Sequence, residues 1–504
     1  MKKQITVTVN GKPTLAVCGI ALSEVINEEK PCGGHGKCGK CKVIARGNLS
    51  EITDAEQRLL TEKELSDGVR LACLTAVLGD CEIQTLNKQE STQIVNDGVL
   101  PVFELHPTFS QYGVAIDIGT TTLAARLYDS KDILLSETSR LNPQQEWGAD
   151  VISRIEAALD GKQKPLASAI RTAVNDIIFK LAAQANIEST AIDGMVITGN
   201  TVMLSLLAEE SVEPFSHAPF AVKRLFGETL TAETLEFSNL HANTPVYLPP
   251  CISAFVGADT TCAILATELT NQNVPTLLAD IGTNGEMALQ HNGKLTVCST
   301  AAGPAFEGVG ISMGMRGAEG AIDKVTISNG KLQAHVIGNT EPKGICGSGL
   351  VDAVACMLDE EILDESGFLE DELYSIQEPV TLTQKDIRML QLAKSAICAG
   401  LMTLMENDHL NPSDVPSLSI AGGFGNYLNM ESAAKIGLLP QALAEHAKAV
   451  GNAALGGAVM LLLNKTYRTE AEVLTKNAVT LDLSSNPIFS EFYMSGMMLG
   501  ERDG

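Results

Sequence analysis

The sequence predicts an α/β chain built as a small cysteine-bearing unit, a linker and a large two-lobed domain, and three observations carry that expectation. Four cysteines, Cys32, Cys38, Cys41 and Cys73, form a glycine-rich pattern near the start. A strand running into Asp-Ile-Gly-Thr occurs twice, at Asp117 and Asp280. A third strand runs into Gly422-Gly423-Phe-Gly425. The chain has 504 residues, too many for one compact core, and its 45% hydrophobic and 19% charged content is ordinary for globular α/β proteins. The expected boundaries are residues 1–87, a linker at 88–110, and 111–504, the last divided into lobes at about 111–270 and 271–504.

The formal net charge of -25 disfavours phosphate backbones and anionic lipid, so neither nucleic acid nor a membrane is an expected partner. No basic-apolar-small pattern opens the chain, and the apolar stretch Leu455 to Leu463 is far short of a membrane span, so a cytoplasmic location is expected. Twelve cysteines in that setting read as free thiols or metal ligands. Six of them precede residue 82, which places the thiol chemistry at the front.

Ile5, Val7 and Val9 alternate with polar residues, and Asn10-Gly11 supplies the positive φ angles of a tight turn before Leu15 and Val17. An amphipathic segment, 21–29, leads into Cys32-Gly-Gly-His-Gly-Lys-Cys38-Gly-Lys-Cys41. A helix at 54–60 precedes Cys73, and a strand at 81–86 closes the unit. Hairpin, helix, cysteine loop and strands together predict a β-grasp.

Four thiolates suit a two-iron cluster, and the intervening glycines let backbone amides approach the sulfurs. A structural zinc site is the alternative, although zinc ribbons use two Cys-x2-Cys knuckles and only Cys38 and Cys41 form one here. Cys-x5-Cys-x2-Cys followed by a distant Cys resembles the adrenodoxin-type branch of the two-iron ferredoxins. That resemblance implies that Cys32, Cys38, Cys41 and Cys73 ligate a 2Fe-2S cluster. Cys18 and Cys81 fall outside it and read as packing residues, and His35 as a loop residue without a role.

Between 87 and 111 the periodicity fades and Pro101 and Pro107 appear, which reads as a mobile tether. Beyond it, Tyr112 to Thr122 is a buried strand ending in Asp117, a glycine turn at Gly119 and the hydroxyls of Thr120 and Thr121. The device recurs at Thr276 to Glu286 with Asp280, Gly282, Thr283 and Asn284, 163 residues later by the difference between 280 and 117. Glycine hairpins at strand ends surround phosphate oxygens with amides and hydroxyls, and an aspartate at each strand end suits magnesium-bound water. Gly422 and Gly423 lie where a strand turn can pass under a purine or ribose. In order and spacing these elements resemble the phosphate-1, phosphate-2 and adenosine motifs of the acetate kinase, sugar kinase, heat-shock chaperone and actin superfamily. The resemblance implies a two-lobed, ribonuclease H-like domain with ATP and Mg2+ in the cleft.

Further glycine turns lie at Gly199-Asn200, Gly303 to Gly308 and Gly344 to Gly349, where tight packing and cleft lining are equally good readings. Cys346, in the last of them, reads as a small packed residue. A one-electron cluster beside an ATP clasp suits nucleotide-driven electron transfer. Plant-type clusters sit near roughly -400 mV, and each ~59 mV of uphill one-electron transfer costs a factor of about ten.

The whole architecture resembles the reductive activators of corrinoid-dependent methyltransferases, on the cysteine pattern, the two Asp-Ile-Gly-Thr hairpins and Gly303-Pro-Ala-Phe-Glu-Gly308. The resemblance implies ATP-consuming reduction of a corrinoid protein from Co(II) to Co(I), with an unidentified electron donor loading the cluster. Some members carry an extra middle domain, for which the short linker leaves no room. The cobalt-facing surface is assigned to Glu307–Arg316, with Glu307 and Ser312 as candidate catalytic residues. An electron donor to a 2-hydroxyacyl-CoA dehydratase, and a nonredox kinase or ATP-binding module, stand as alternatives.

Overall fold

Asn10 and Gly11 both adopt positive φ, 48° and 82°, and so turn β1 (Gln4–Val9) back onto β2 (Lys12–Val17) as an antiparallel hairpin. The computed structural model describes residues 4–26, 41–85 and 98–501. Cys32, Cys38, His35 and the first part of the expected linker lie outside these. The chain divides into two compact units, Met1–Ser91 with Pro143–Ala157, and Thr92–Asn142 with Ala158–Gly504. The expected boundaries set no such segment as Pro143–Ala157 apart.

In the first unit, α1 (Leu22–Val25) is followed by β3 (Lys42–Leu49), α2 (Asp54–Leu59), α3 (Glu62–Asp67), β4 (Val69–Leu71) and β5 (Val77–Thr85). The sheet order is β2-β1-β5-β3-β4, with β1 and β5 parallel. Along β5 every second residue is buried, and Val77 and Ile83 join Val7, Leu22, Val43 and Leu71 in one core. Thr53 and Glu56 form a capping box at the start of α2. The remaining helix of this unit is α4 (Val151–Ala157).

Glu56 also reaches past its own helix. It is fully buried, pairs with the Arg70 guanidinium at 3.0 Å, and accepts from the Leu71 amide and the Thr75 hydroxyl, each at 3.0 Å. Arg70 donates further to the Ser50 and Glu51 carbonyls. One carboxylate thus grips both ends of the turn that carries Cys73, and these bonds hold its carboxyl below the usual range against the opposing effect of burial.

The second unit holds two six-stranded sheets. One runs β10 (Glu228–Thr231), β11 (Pro245–Leu248), β9 (Ile192–Gly199), β6 (Tyr112–Ile118), β7 (Thr122–Asp129), β8 (Leu134–Leu141). The other runs β21 (Ala447–Gly451), β20 (Ser417–Ala421), β12 (Thr276–Ile281), β13 (Gly285–His291), β14 (Lys294–Thr300), β22 (Val479–Thr480). In each, the first strand in sequence pairs antiparallel with the next, which pairs antiparallel with the third. On its other side it is parallel to a later strand, itself parallel to another. The repeated motif is therefore a repeated topology.

Helices α5 (Gln163–Ala185) and α6 (Thr201–Ala208) belong to the first lobe, and α7 (Ala258–Ala266) ends it. In the second lobe, β15 (Ala321–Ser328), β16 (Lys331–Val336) and β17 (Gly344–Ile345) form a small sheet against α8 (Gly347–Asp359), and β18 (Leu373–Gln377) and β19 (Val380–Thr383) a hairpin before α9 (Gln384–Asn407). Helices α10 (Met430–Lys435) and α11 (Gln441–Ala444) lead to β21, and α12 (Ala453–Leu463), α13 (Thr466–Asn477) and α14 (Pro487–Ser495) complete the chain. Among the described residues only α9 is long and apolar enough to cross a membrane, and 78% of its most apolar window is buried within the protein.

Helix α12 is buried along its whole length and packs with α7, joining Ala115, Ala124 and Val196 of the first sheet to Leu278, Ala288 and Val297 of the second in one core. A Cβ on Gly457 would meet the Cys262 carbonyl at 2.0 Å, so this crossing needs glycine. The lobe boundary near 270 is accordingly not the end of the first lobe's packing. Residues 98–110 form no free tether: the Val99, His106 and Thr108 amides donate to Val450, Leu463 and Leu462 carbonyls at 2.9–3.0 Å, and Asn464 donates to the Glu104 carbonyl. This strap is paired through its backbone, which a side-chain pattern does not register.

Glu56→Ala is expected to cost the first unit about 3–5 kcal/mol by leaving Arg70 buried without its carboxylate. Hydrogen exchange at the Leu71 amide, read on the full chain, should accelerate about a hundredfold or more.

Candidate functional site

Cys41 lies just before β3 and Cys73 just after β4, antiparallel neighbours in the sheet. The Ala72 amide donates to the Cys41 carbonyl at 2.8 Å, and the two Sγ atoms stand 3.2 Å apart. Strand pairing thus brings together thiols from distant parts of the chain, a donor pair that fits a metal-sulfur cluster. The other two cysteines of the pattern, Cys32 and Cys38, lie outside the described residues. Cys18 donates to the Leu78 carbonyl, and Cys81 is buried, with burial pushing its thiol up. Cys346 is buried against Ser348.

The second unit has a cleft lined by Asp117, Gly119, Thr120, Thr121, Asp280, Gly282, Thr283, Asn284, Glu307, Gly422 and Gly423. All but Glu307 come from strand ends or the turns that follow them, and their convergence follows from the two sheets. At β6–β7 the Gly119 amide donates to the Thr122 carbonyl at 2.9 Å, and at β12–β13 the Gly282 amide donates to the Asn284 carbonyl at 2.9 Å. Both hairpins are tight and leave threonine hydroxyls at the cleft. Gly422 has φ 94°, and a Cβ there would lie 2.7 Å from the Ile281 carbonyl and 2.9 Å from Asp280 Oδ1. Beyond it, Phe424 stacks on Phe306 with centroids 4.5 Å apart, and Tyr427 reaches the cleft half-exposed. Backbone close to the hairpin and an aromatic face suit a purine and ribose.

Sequence reasoning misses three further polar groups as site residues. Asp259, in the first turn of α7, and Glu286, opposite Asp280 on β13, both face the cleft. Asn452 caps α12 and donates to Asp117 Oδ2 at 3.0 Å. Glu286 lies within the repeated motif itself. Asp259 and Asn452 follow β11 and β21, the equivalent strands of the two sheets, a signal readable only once the topology is known. Asn200, in the glycine turn after β9, donates to Thr120 Oγ1 at 3.1 Å.

Burial raises Asp117, Asp259, Asp280 and Glu286. Asp117 is pushed up to about 7, with the Asn452 hydrogen bond opposing burial and the charges of Asp259 and Asp280 reinforcing it. Asp280 is pushed up to about 7 by burial and by Asp259, and Asp259 to about 6 by burial against the hydrogen bonds of Thr260. Glu286 is raised by burial and by both aspartates. Such a cluster suits a hard cation, whose charge relieves the repulsion.

The two candidate residues of the 307–316 segment separate. Glu307 lies in the cleft, where Thr121 Oγ1 donates to its two oxygens at 3.1 and 3.0 Å and Thr283 Oγ1 donates to Oε2 at 2.9 Å. Ser312 is exposed, and its amide and hydroxyl donate to Asp386 Oδ1 at 2.7 and 3.0 Å, at the start of α9. They do not form one catalytic pair.

Matched sheets, an Asp-x-Gly hairpin in each and a glycine turn between them define a two-lobed nucleotide-binding domain of the actin and sugar-kinase type. Residues 274–504 match the family model described as the C-terminal domain of RACo, the ASKHA domain, and 112–272 match the RACo middle region. The corrinoid activation enzyme RamQ of Eubacterium limosum is 36% identical over 425 residues, 77% of this chain and 70% of the relative. The [Co(II) methylated amine-specific corrinoid protein] reductase of Methanosarcina barkeri is 25% identical over 418 residues, 76% of each. A solved structure, the reductive activator for corrinoid, iron-sulfur protein, superposes with a TM-score of 0.73 at 27% identity, covering 99% of both chains. Over 105 residues, 18% of this chain and 26% of the relative, the chain is 32% identical to a component of the Na+-translocating NADH-quinone reductase of Neisseria meningitidis. The chain belongs to the RACo family. The expectation that a middle domain has no room is thereby corrected: the family's middle region coincides with the first lobe.

Carboxyls raised above their unfolded values make the folded state bind more protons than the unfolded one between about pH 4 and 7, so their contribution to stability falls as pH rises through that window. Without nucleotide or divalent cation, the second unit should melt several degrees higher at pH 6 than at pH 8. Asp280→Asn should raise the melting temperature at pH 8 and flatten the dependence, as read by calorimetry.

Proposed function

We infer that the chain reductively activates a corrinoid protein, returning its cobalt from Co(II) to methyl-accepting Co(I) by adding one electron, with ATP supplying the driving force. The observation that carries this reading is a paired-cysteine site and a two-hairpin nucleotide cleft in one chain, a combination matched over 99% of its length by a reductive activator for a corrinoid protein. Cys32, Cys38, Cys41 and Cys73 hold a 2Fe-2S cluster, and when bound it supplies a single electron at low potential. Glu56 and Arg70 keep the Cys73 turn against the sheet, and the Cys41 side chain is buried away from water.

In the cleft, Thr120, Thr121, Thr283 and the amides around Gly119 and Gly282 bind the phosphates, Gly422 and Gly423 pass beneath the ribose and base, and Asp117 and Asp280 orient water around Mg2+. Ser312 faces the corrinoid. Its proton is donated to Asp386, which leaves oxygen lone pairs for the cobalt of the bound substrate. An electron donor of its own loads the cluster, and the protein works in the cytoplasm.

The deciding experiment supplies reduced protein, ATP and Mg2+ under anaerobic conditions to a corrinoid protein from the same organism held as Co(II), and follows the cobalt spectrum. Co(I) should form only with ATP. Cys41→Ala should lose it while still binding nucleotide, and Asp280→Ala should lose it with the cluster intact. No Co(I) with several corrinoid partners, despite a loaded cluster and ATP turnover, would transfer the reading to another low-potential acceptor.

A further inference from the structure

Glu307 makes polar contacts to both hairpins of the cleft. Its carboxylate takes the hydroxyl protons of Thr121, on the β6–β7 hairpin, and of Thr283, on the β12–β13 hairpin. A threonine hydroxyl has one proton to give. A phosphate oxygen bound at the same hairpins needs those same protons, and its charge repels a carboxylate at that spot. The two anions are therefore alternatives for one pair of donors.

Glu307 belongs to a loop anchored in the cleft at both ends. At the near end the Gly303 amide donates to the Thr283 carbonyl at 2.9 Å, and Pro304–Glu307 form one turn of 3-10 helix. At the far end Met315, Arg316 and Gly317 return to the cleft lining, with the Met315 amide donating to the Ile345 carbonyl at 2.9 Å. Between them the loop leaves the cleft. Ser312 at its apex is exposed and tied to Asp386, which caps α9 together with Thr383.

We propose that Glu307 competes with the terminal phosphate of the nucleotide for the Thr121 and Thr283 hydroxyls, so that ATP binding unpins the 303–317 loop and changes the setting of its surface apex. Glu307 is then a positioning residue and not a catalytic one. Occupancy of the cleft, before any phosphate bond breaks, is communicated to the surface that carries Ser312. ADP, with no terminal phosphate at the hairpins, leaves the carboxylate in place. The proposal rests on the nucleotide reading of the cleft but not on the identity of the electron acceptor.

The test uses the full chain and a nonhydrolysable ATP analogue with Mg2+, comparing wild type with Glu307→Ala and the near-isosteric Glu307→Gln by calorimetry. Competition predicts that removing the carboxylate tightens binding, by roughly tenfold for Glu307→Ala, with Glu307→Gln between it and wild type, and that ADP affinity changes little. A carboxylate that held the cation or activated water would give the opposite sign or no change, and either result overturns the proposal. Hydrogen exchange supplies a readout in the unmutated protein: amides of 309–314 should exchange faster with the analogue than with ADP. Equal or slower exchange with the analogue counts against release of the loop. Failure of wild type to bind the analogue at all would sink the nucleotide reading itself, and the competition with it.

Discussion

Two strands that each end in an aspartate, set in matching sheets that face one cleft, force like charges together, and much of the second unit is arranged around that constraint. Burial above all pushes Asp117 and Asp280 up to about 7, and Asp259 and Glu286 add to the crowding. Isolated buried carboxylates are unfavourable, so such a cluster persists where something else needs it. In the proposed reading the need is a charged, cation-bearing ligand. Asn452 at the start of α12 supplies a donor to Asp117, and α12 itself is the element that joins the two sheets into one core. The donor to Asp117 thus sits at the start of the helix that holds the two sheets together.

The first unit solves a different problem by similar means. A small sheet has little core with which to fix an irregular turn, and the turn bearing Cys73 is short of strand pairing. The buried Glu56–Arg70 pair provides the missing order, since one carboxylate satisfies an amide, a hydroxyl and a guanidinium at once. A buried ion pair with all its bonds made gives little net stability, but it specifies one geometry strongly. For a turn that, in the proposed reading, presents a sulfur to a metal, geometry matters more than stability.

Glu307 and Ser312 show how neighbours in sequence can part in the fold. The place of Glu307 in a glycine-rich turn marks it as functional, and grouping it with Ser312 follows from their closeness in sequence. In the fold they lie on different parts of one loop, and only Glu307 enters the cleft. Sequence distance reports the length of chain between two residues and not the path it takes. The same lesson applies to 98–110, where prolines and mixed polarity suggest a tether. Backbone hydrogen bonds to the segment around α12 leave no trace in composition.

What the sequence by itself determined is local and periodic. The hairpin at Asn10-Gly11, the cysteine spacing, both Asp-Ile-Gly-Thr turns and the Gly422-Gly423 turn are each set by the conformational freedom of a few adjacent residues or by alternation along a strand, so they are legible without partners. The family resemblance added the two-lobed architecture, and the repeated sheet order is its physical basis. Only the tertiary structure decided that Asp259 and Asn452 belong to the cleft, that α12 closes the core between the sheets, and that Thr121 and Thr283 meet on one carboxylate. Those contacts join residues as far as 335 positions apart, and their energy comes from burial and hydrogen-bond geometry that exist only after the chain has folded.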